Sequence, residues 1–568
     1  MATTGSFIIT VDGTAIPAEL MAPLVSAHVD TSTALPDSFT LRFRDPGRTV
    51  LVESGAKIGA IVAISVVTDH NPEPEQLIDG EVTAVEAEFE KSGTFTTVRG
   101  YDQSHRLFRA RHTASYTQAT AADAATQCAL RAGLKPGRIE PSPTVFEHIS
   151  QRGQTDWEFL NALARDIGYE VAVRKGALDF GPPARADSAP AGDPENPLSL
   201  QYGTELIRLR STLTAAQQVS KVEMRGWDVA TKRPIVGTAD AATTSAQVPG
   251  IDPAQLASTF GSPVYVGSDS GLRTQTEADT AAAARSATIA GAFAEVDAVA
   301  HGNPKLRAGS SVSLEGLGQP FDGKFVVTSA RHRFDPAAGF TTTFAVSSSH
   351  DRTLLGLTAT PGGQGGHGVV IGQVTDVNDP ESAGRVKLSF PQLSDDYVSG
   401  WARTVQAGAG KDRGALVLPE VGDEVLVAFE QGSADHPYVL GGLFNGVDTP
   451  DSKGVTLVDP ASGVINRRSF VSRRGHRIDL NDEDGRTEGV VLSSVSESVR
   501  VELDAIGSTV TVHSDGKVHI EGKTGVVIDA GAGELELRGQ KVSLKASTTA
   551  ELTASGPVTV QGTPIKLN

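Results

Sequence analysis

The chain has 568 residues, too many for one hydrophobic core, so three or four domains are expected. Hydrophobic residues at 39% and charged residues at 21% exclude a wholly disordered chain, while 60 glycines, 30 prolines and 5% aromatics favour short strands joined by tight turns. A net charge of −18 repels phosphate backbones and anionic lipid alike, which argues against a nucleic-acid partner and leaves membrane contact to mechanical force or to another protein.

Met1–Ser6 lacks a basic region and Phe7–Val11 reads as a strand, so no signal peptide is expected and synthesis and assembly are placed in the cytoplasm. The longest apolar run, Ile58–Val67, is too short to span a bilayer, and no integral membrane segment is expected. Phe39, Leu41 and Phe43 alternate with Thr40, Arg42 and Arg44 at the period of a half-buried strand. Thr120 can cap a helix over Ala121–Ala132 that Gly133 ends. The single cysteine, Cys128, falls on that helix and reads as a small buried residue. Thr155 with Glu158 forms a capping box for a second helix, with Trp157, Leu160, Leu163, Ala164 and Ile167 on one face and Gly168 as its stop. Strands resume to about Ser348, interrupted by an Ala-rich helix near Glu277–Ala294. Pro361–Gly368 is a linker by composition, Val369 to Gly446 carries about five strand signals, and a polar connection of about 25 residues follows.

The tail holds the most informative pattern. Apolar pairs at i and i+2 recur every seven to nine residues: Val510/Val512, Val518/Ile520, Val526/Ile528, Leu535/Leu537, Val542/Leu544, Ala550/Leu552, Val558/Val560 and Ile565/Leu567. Each unit is a strand of three or four residues followed by a turn. Two aliphatic side chains per unit fall short of the entropy of ordering it, and a lone strand has no hydrogen-bond partner. Wrapping three copies about one axis supplies both the partners and the burial. A single-chain parallel β-helix is the competing reading, less favoured because its rungs need longer coils; a row of independent hairpins is a third.

Other motifs read blandly. Gly363–Gly368 fits G-x-G-x-x-G but precedes a strand instead of opening a helix, which is linker context. Gly410-Lys411 lacks the first glycine and the Ser/Thr of a P-loop. Gly267–Gly271 reads as a polar turn, and Asn481–Gly485 as a hairpin turn whose glycine sits at the wrong step for a calcium loop. His513 and His519 are out of phase with the inward pairs and read as surface residues. No metal, cofactor or catalytic group is assigned.

Several segments resemble the VgrG family and the related central spikes of contractile phage tails. Gly372–Val377, Asn378-Asp379-Pro380-Glu381, Gly384-Arg385-Val386-Lys387, Phe390-Pro391, Trp401-Ala402-Arg403, Gly408–Lys411, Leu418–Val425 and His436-Pro437 to Leu440-Gly441 follow the order of that family's OB-fold base-assembly domain. Arg152–Leu160, Leu178–Pro183, Asn303-Pro304 with Leu306 and Gly309, Phe321–Gly323 and Arg331–Asp335 are similar to the late-control-D hub module, and Gly475–Ile478 with the octads completes the likeness.

The resemblance implies a mainly β chain: a paired β-barrel hub with small helical insertions, an OB-fold barrel and a triple-stranded intertwined β-helix needle. The expected boundaries are 1–350 for the hub with its helical insertion around 115–170, 351–368 for the linker, 369–446 for the OB-fold, 447–474 for a connector and 475–568 for the needle, with octads from 510. It further implies a homotrimeric spike of a contractile injection apparatus that joins inner-tube ring protein and baseplate proteins to the tip, carries effector cargo, and pierces an envelope mechanically, not as an enzyme. The apparatus is a phage tail, a type VI system or an extracellular tail-like particle. The needle core would comprise Val510, Val512, Val518, Ile520, Val526, Ile528, Leu535, Leu537, Val542, Leu544, Leu552, Val558 and Val560. Only about 25 residues separate Gly446 from the Gly475 strand, too few for the lysozyme domain some family members insert there, and no histidine follows His519 for an apical His-x-His iron site. The blunt end Pro564, Ile565, Lys566, Leu567 and Asn568 would then dock a PAAR-type tip protein. A spike with lysozyme-like activity and a fibrous adhesin are the alternatives.

Overall fold

The computed structural model describes residues 5–68, 71–142, 144–193, 195–228, 231, 233–267, 272–336, 339–347, 368–390, 396–433, 435–451 and 453–566. It is mainly β with few helices, as expected. Two compact units divide it, Met1–Asn445 and Gly446–Asn568.

In the first unit, alternating strands build one eleven-stranded sheet. Its order is Leu206–Leu213, Ala294–His301, Gly339–Val346, Ser329–Asp335, Leu24–Ser32, Ser38–Arg44, Gly93–Tyr101, Asn71–Glu90, Ile61–Thr68, Ser6–Val11 and Thr14–Ala15. Phe39, Leu41 and Phe43 are buried and Thr40, Arg42 and Arg44 are not, as the alternation required. The antiparallel pairing of Leu24–Ser32 with Ser329–Asp335 joins segments some 300 residues apart and makes the sheet continuous. Two cores lie along it, one around Phe39, Val62 and Ile64 and one around Phe293, Phe325 and Phe344.

A helical insertion forms a third core. Thr120 and Asp123 make a reciprocal capping box for the helix Ala121–Arg131, and Thr155 and Glu158 make one for Asp156–Ile167, which Gly168 ends at φ +71. Ala121, Ala124, Ala125, Cys128 and Ala129 pack against Leu160, so Cys128 is buried as expected. The Ala-rich helix runs Gln275–Gly291, two residues earlier than the composition suggested because Thr274 caps it through the Glu277 amide. Its small side chains let the strand Arg233–Asp240 approach closely: a Cβ on Gly237 would stand 2.1 Å from the Ala278 carbonyl.

Val369–Asp376, Lys387–Ser389, Glu424–Phe429, Pro437–Gly442 and Arg403–Thr404 form a five-stranded sheet around Val374, Leu388, Phe390, Tyr397, Val425 and Val427. A bridge between Val386 and Ala402 joins the two edge strands, Lys387–Ser389 and Arg403–Thr404, and closes the barrel. The proposed linker lies outside the described residues, apart from Gly368.

The second unit opens with an antiparallel meander of Arg467–Val471, Arg477–Glu483, Thr487–Ser493, Val499–Asp504 and Thr509–Ser514. Its first strand falls in the stretch expected to be a connector, and Asn481–Gly485 ends in the expected hairpin turn, with Gly485 at φ +65. The sheet is inverted in polarity. Phe470, Ile478 and Leu492 share one cross-strand row with Val501 and Val512, and Leu480, Val490, Leu503 and Val510 share the next; most of these side chains are exposed. Arg467, Asp479 and Asn481 on the opposite face are buried, with Asp451 paired to Arg477 at 2.7 Å.

Gly237→Ala should lower stability by about 1–3 kcal/mol, because helix and strand must part to admit the methyl group. Gly441→Ala, whose added Cβ meets nothing within 4 Å, should change it by less than about 0.5 kcal/mol. Denaturant midpoints of the two variants check the contrast.

Candidate functional site

Two places carry the chain's special chemistry: the tail, and the joint between helical insertion and barrel. Past Ser514 the tail is extended, and among the described residues to 566 no strand forms. Its one backbone-to-backbone hydrogen bond among residues 516–566 is Gly533 N–H to the Ala530 carbonyl. Val518, Ile520, Val526, Ile528, Leu535, Leu537, Val542, Leu544, Leu552, Val558 and Val560 are all exposed, Leu544 by 85%. Within one copy these side chains shelter nothing. Val510 and Val512 belong to the last meander strand, also exposed. His513 and His519 are exposed and face Asp515 and Glu521 at 3.0 and 3.3 Å, as surface residues do. Pro564, Ile565 and Lys566 are exposed too, while Leu567 and Asn568 lie outside the described residues.

The joint went unnoticed in the sequence, although Arg152 and His436 stand in segments singled out there. The strand Val145–Thr155 lies against the barrel through Tyr397, whose hydroxyl is 2.7 Å from Ser150 Oγ and 3.4 Å from His148 Nε2. Gly400 lets the backbone approach: a Cβ there would sit 3.2 Å from His148 Cβ. Arg152 stacks over the Phe429 ring at 4.4 Å, and Arg273 pairs with Glu430 at 2.7 Å while Tyr438 donates to the same carboxylate at 2.9 Å. Burial, then Lys387, pulls the His148 imidazole down to about 4. Burial, with Arg273 and His148 beside it, pulls His436 down to about 3. Burial pushes Asp435 up to about 6, and Tyr397 up to about 12. Beside the Arg273–Glu430 ion pair, the two buried histidines of the joint are therefore held neutral by their burial. No group of three His, Cys, Asp or Glu side chains among the described residues is arranged to hold a metal ion.

Comparison with known proteins bears on the barrel and on the region before it. Residues 49–335 match the family described as the Alg8 N-terminal domain. Residues 370–444, which span the barrel, match the type VI secretion system/phage-baseplate injector OB domain. The type VI secretion system spike protein VgrG1b of Pseudomonas aeruginosa is 28% identical over 146 residues, 24% of this chain and 19% of that one. VgrG1a of the same organism is 33% identical over 147 residues, 24% of this chain and 22% of that one. These matches thus span about a fifth of the length of those curated relatives. A solved Francisella PdpA-VgrG complex, described as half-lidded, superposes with a TM-score of 0.54 at 9% identity, covering 90% of this chain and 88% of that one; it shares the fold.

The joint makes stability depend on pH with two opposed signs. His148 and His436, held below the ordinary 6.5, contribute fully above pH 6.5 and lose that contribution as pH falls toward 4. Asp435, held above the ordinary 3.8, contributes fully below that value and loses it as pH rises through about 6. Thermal midpoints of the wild type should fall between pH 6.5 and 4. In His148→Gln/His436→Gln that fall should flatten or reverse.

Proposed function

The chain belongs to the Alg8 N-terminal domain family and is a VgrG-like spike, and we propose that it forms the trimeric centre of a contractile injection apparatus. The observation that carries this reading is the tail. Some fifty residues of extended backbone repeat aliphatic pairs at octad spacing, with neither strand partners nor cover inside one copy. Three copies wound about a common axis give every short strand neighbours and bring the pairs together, with no open edge.

In this reading Val510, Val512 and the aliphatics from Val518 to Val560 form the needle core, and their burial stiffens it. The meander, which precedes the tail in the same unit, is the start of the needle. The eleven-stranded sheet region is the hub, seated on an inner-tube ring protein among baseplate proteins. Pro564 to Asn568 form the blunt face on which a PAAR-type tip protein docks, with effector cargo travelling alongside. The function is mechanical: contraction drives the assembly, made and assembled in the cytoplasm, outward through a target envelope. The close packing at the joint suits this role, because buried and partly buried contacts are screened little by salt.

Replacing Val518, Ile520, Val526 and Ile528 by aspartate should abolish assembly. Light scattering of the wild type should give three times the chain mass of 59.1 kDa, and the variant should give one chain mass. A wild-type mass of one chain with a protease-resistant tail would sink the reading. At the far end, Ile565→Asp should weaken capture of a PAAR-type tip protein by about tenfold or more while leaving the trimer mass unchanged.

A further inference from the structure

The helical insertion carries a surface hollow that neither tail nor joint uses. Its volume is about 380 Å3, and Arg106, Arg109, His112, Arg131 and Asp156 line it together with two alanines. Three guanidinium groups converging on one hollow is unexpected on a chain with a net charge of −18.

Two of the three are held from behind. Arg131 donates through Nε to Asp156 Oδ2 at 3.2 Å and through Nη2 to Gln151 Oε1 at 2.7 Å, with Tyr116 Oη and Cys128 Sγ both 3.3 Å from Nη2. Asp156 is 4% exposed and also accepts from Gln151 Nε2 at 2.8 Å, so its carboxylate is committed. Arg106 is paired with Glu81, to which its Nε donates at 3.3 Å, and its Nη1 donates to the Gly133 carbonyl at 3.4 Å. Arg109 makes no ion pair among the described residues. His112 is half-buried, its Nε2 3.9 Å from Asp156.

Three arginines set against Asp156 and Glu81 leave one unit of positive charge before His112 is counted. The lining offers donors, and its carboxylates are already engaged. Only a ligand that accepts without donating fits, and a surplus of one charge suits a carboxylate better than a phosphate dianion. Planar guanidinium edges match a carboxylate in paired hydrogen bonds, and fixing Arg106 and Arg131 beforehand lowers the ordering cost of binding. We propose that this hollow is a carboxylate-binding site, closed by Arg109 over a floor of Arg131 and Asp156. The carboxylate comes either from a small free acid or from an acidic side chain on a protein surface.

Calorimetric titration of the full chain tests this with two probes: succinate, and the blocked peptide acetyl-Ala-Glu-Ala-amide. Saturable binding should appear by about 10 mM and weaken about tenfold or more in Arg109→Ala, an exposed position whose loss leaves the fold intact. Succinate binding with the peptide inert assigns a free small acid. Peptide binding as tight as succinate, or tighter, assigns an acidic protein side chain. No saturable heat with either probe, equal affinity in Arg109→Ala, or tighter binding of inorganic phosphate would each overturn the proposal.

Discussion

Extended backbone presents an N–H and a carbonyl at nearly every residue, and each must find a partner before a strand is stable. The chain meets this demand in two ways and leaves it unmet in one segment. In the eleven-stranded sheet the strands answer one another, including the distant pair Leu24–Ser32 and Ser329–Asp335. In the barrel the Val386–Ala402 bridge removes the free edge. From 516 to 566 the demand is unmet within one copy, and there the aliphatic pairs are exposed as well. Hydrogen bonding and apolar burial fail together in that segment, so the same neighbours that supply the one supply the other. In the proposed trimer, two further copies of the chain supply both.

Where elements of the first unit join, ion pairs such as Arg273–Glu430 stand beside buried groups that burial holds neutral. His332 lies fully buried beside Thr342 at 3.1 Å, its imidazole pulled down to about 3 by burial and by Arg307. Burial pushes Asp37 up to about 6 despite Arg307 beside it, and burial with the nearby Asp37 pushes Asp102 up to about 7. Together with His148, His436 and Asp435, these groups are largely neutral near pH 5 and fix the strands by shape and hydrogen bonds. Such contacts tolerate changes of salt that would loosen exposed ion pairs.

Legibility in the sequence followed distance along the chain. The Thr120 cap, the Thr155–Glu158 capping box, Gly168, the alternation around Phe39 and the buried Cys128 were readable because each rests on residues a few positions apart. The register of Leu24–Ser32 against Ser329–Asp335 was not, since nothing local marks a partner three hundred residues away. Tyr397 was missed although motif residues stand on both sides of it, because its partners Ser150 and His148 come from another element. The strand Arg467–Val471 was hidden for a different reason. In the meander the buried face is polar and the exposed face apolar, so a strand opening Arg-Arg-Ser reads as connector when hydropathy is taken as a guide to burial. Reversed polarity is itself the signature of a sheet whose apolar face awaits neighbours.

The distribution of charge bears on the same question. In the proposed trimer, three chains of charge −18 would repel one another, and that repulsion grows as they approach. Between 515 and 566, however, Asp515, Glu521, Asp529, Glu534, Glu536 and Glu551 are matched by Lys517, Lys523, Arg538, Lys541, Lys545 and Lys566. Six negative and six positive residues leave that stretch with no formal net charge, while the rest of the chain holds the entire excess. A tail meant to stay solvated and alone gains nothing from such balance, since net charge is what keeps exposed aliphatics apart. A tail meant to lie against two copies of itself needs it, because self-repulsion is weakest where the chains pack most closely. In the proposed trimer the acidic excess in the remainder would keep finished assemblies apart, and the neutral tail would let three strands meet.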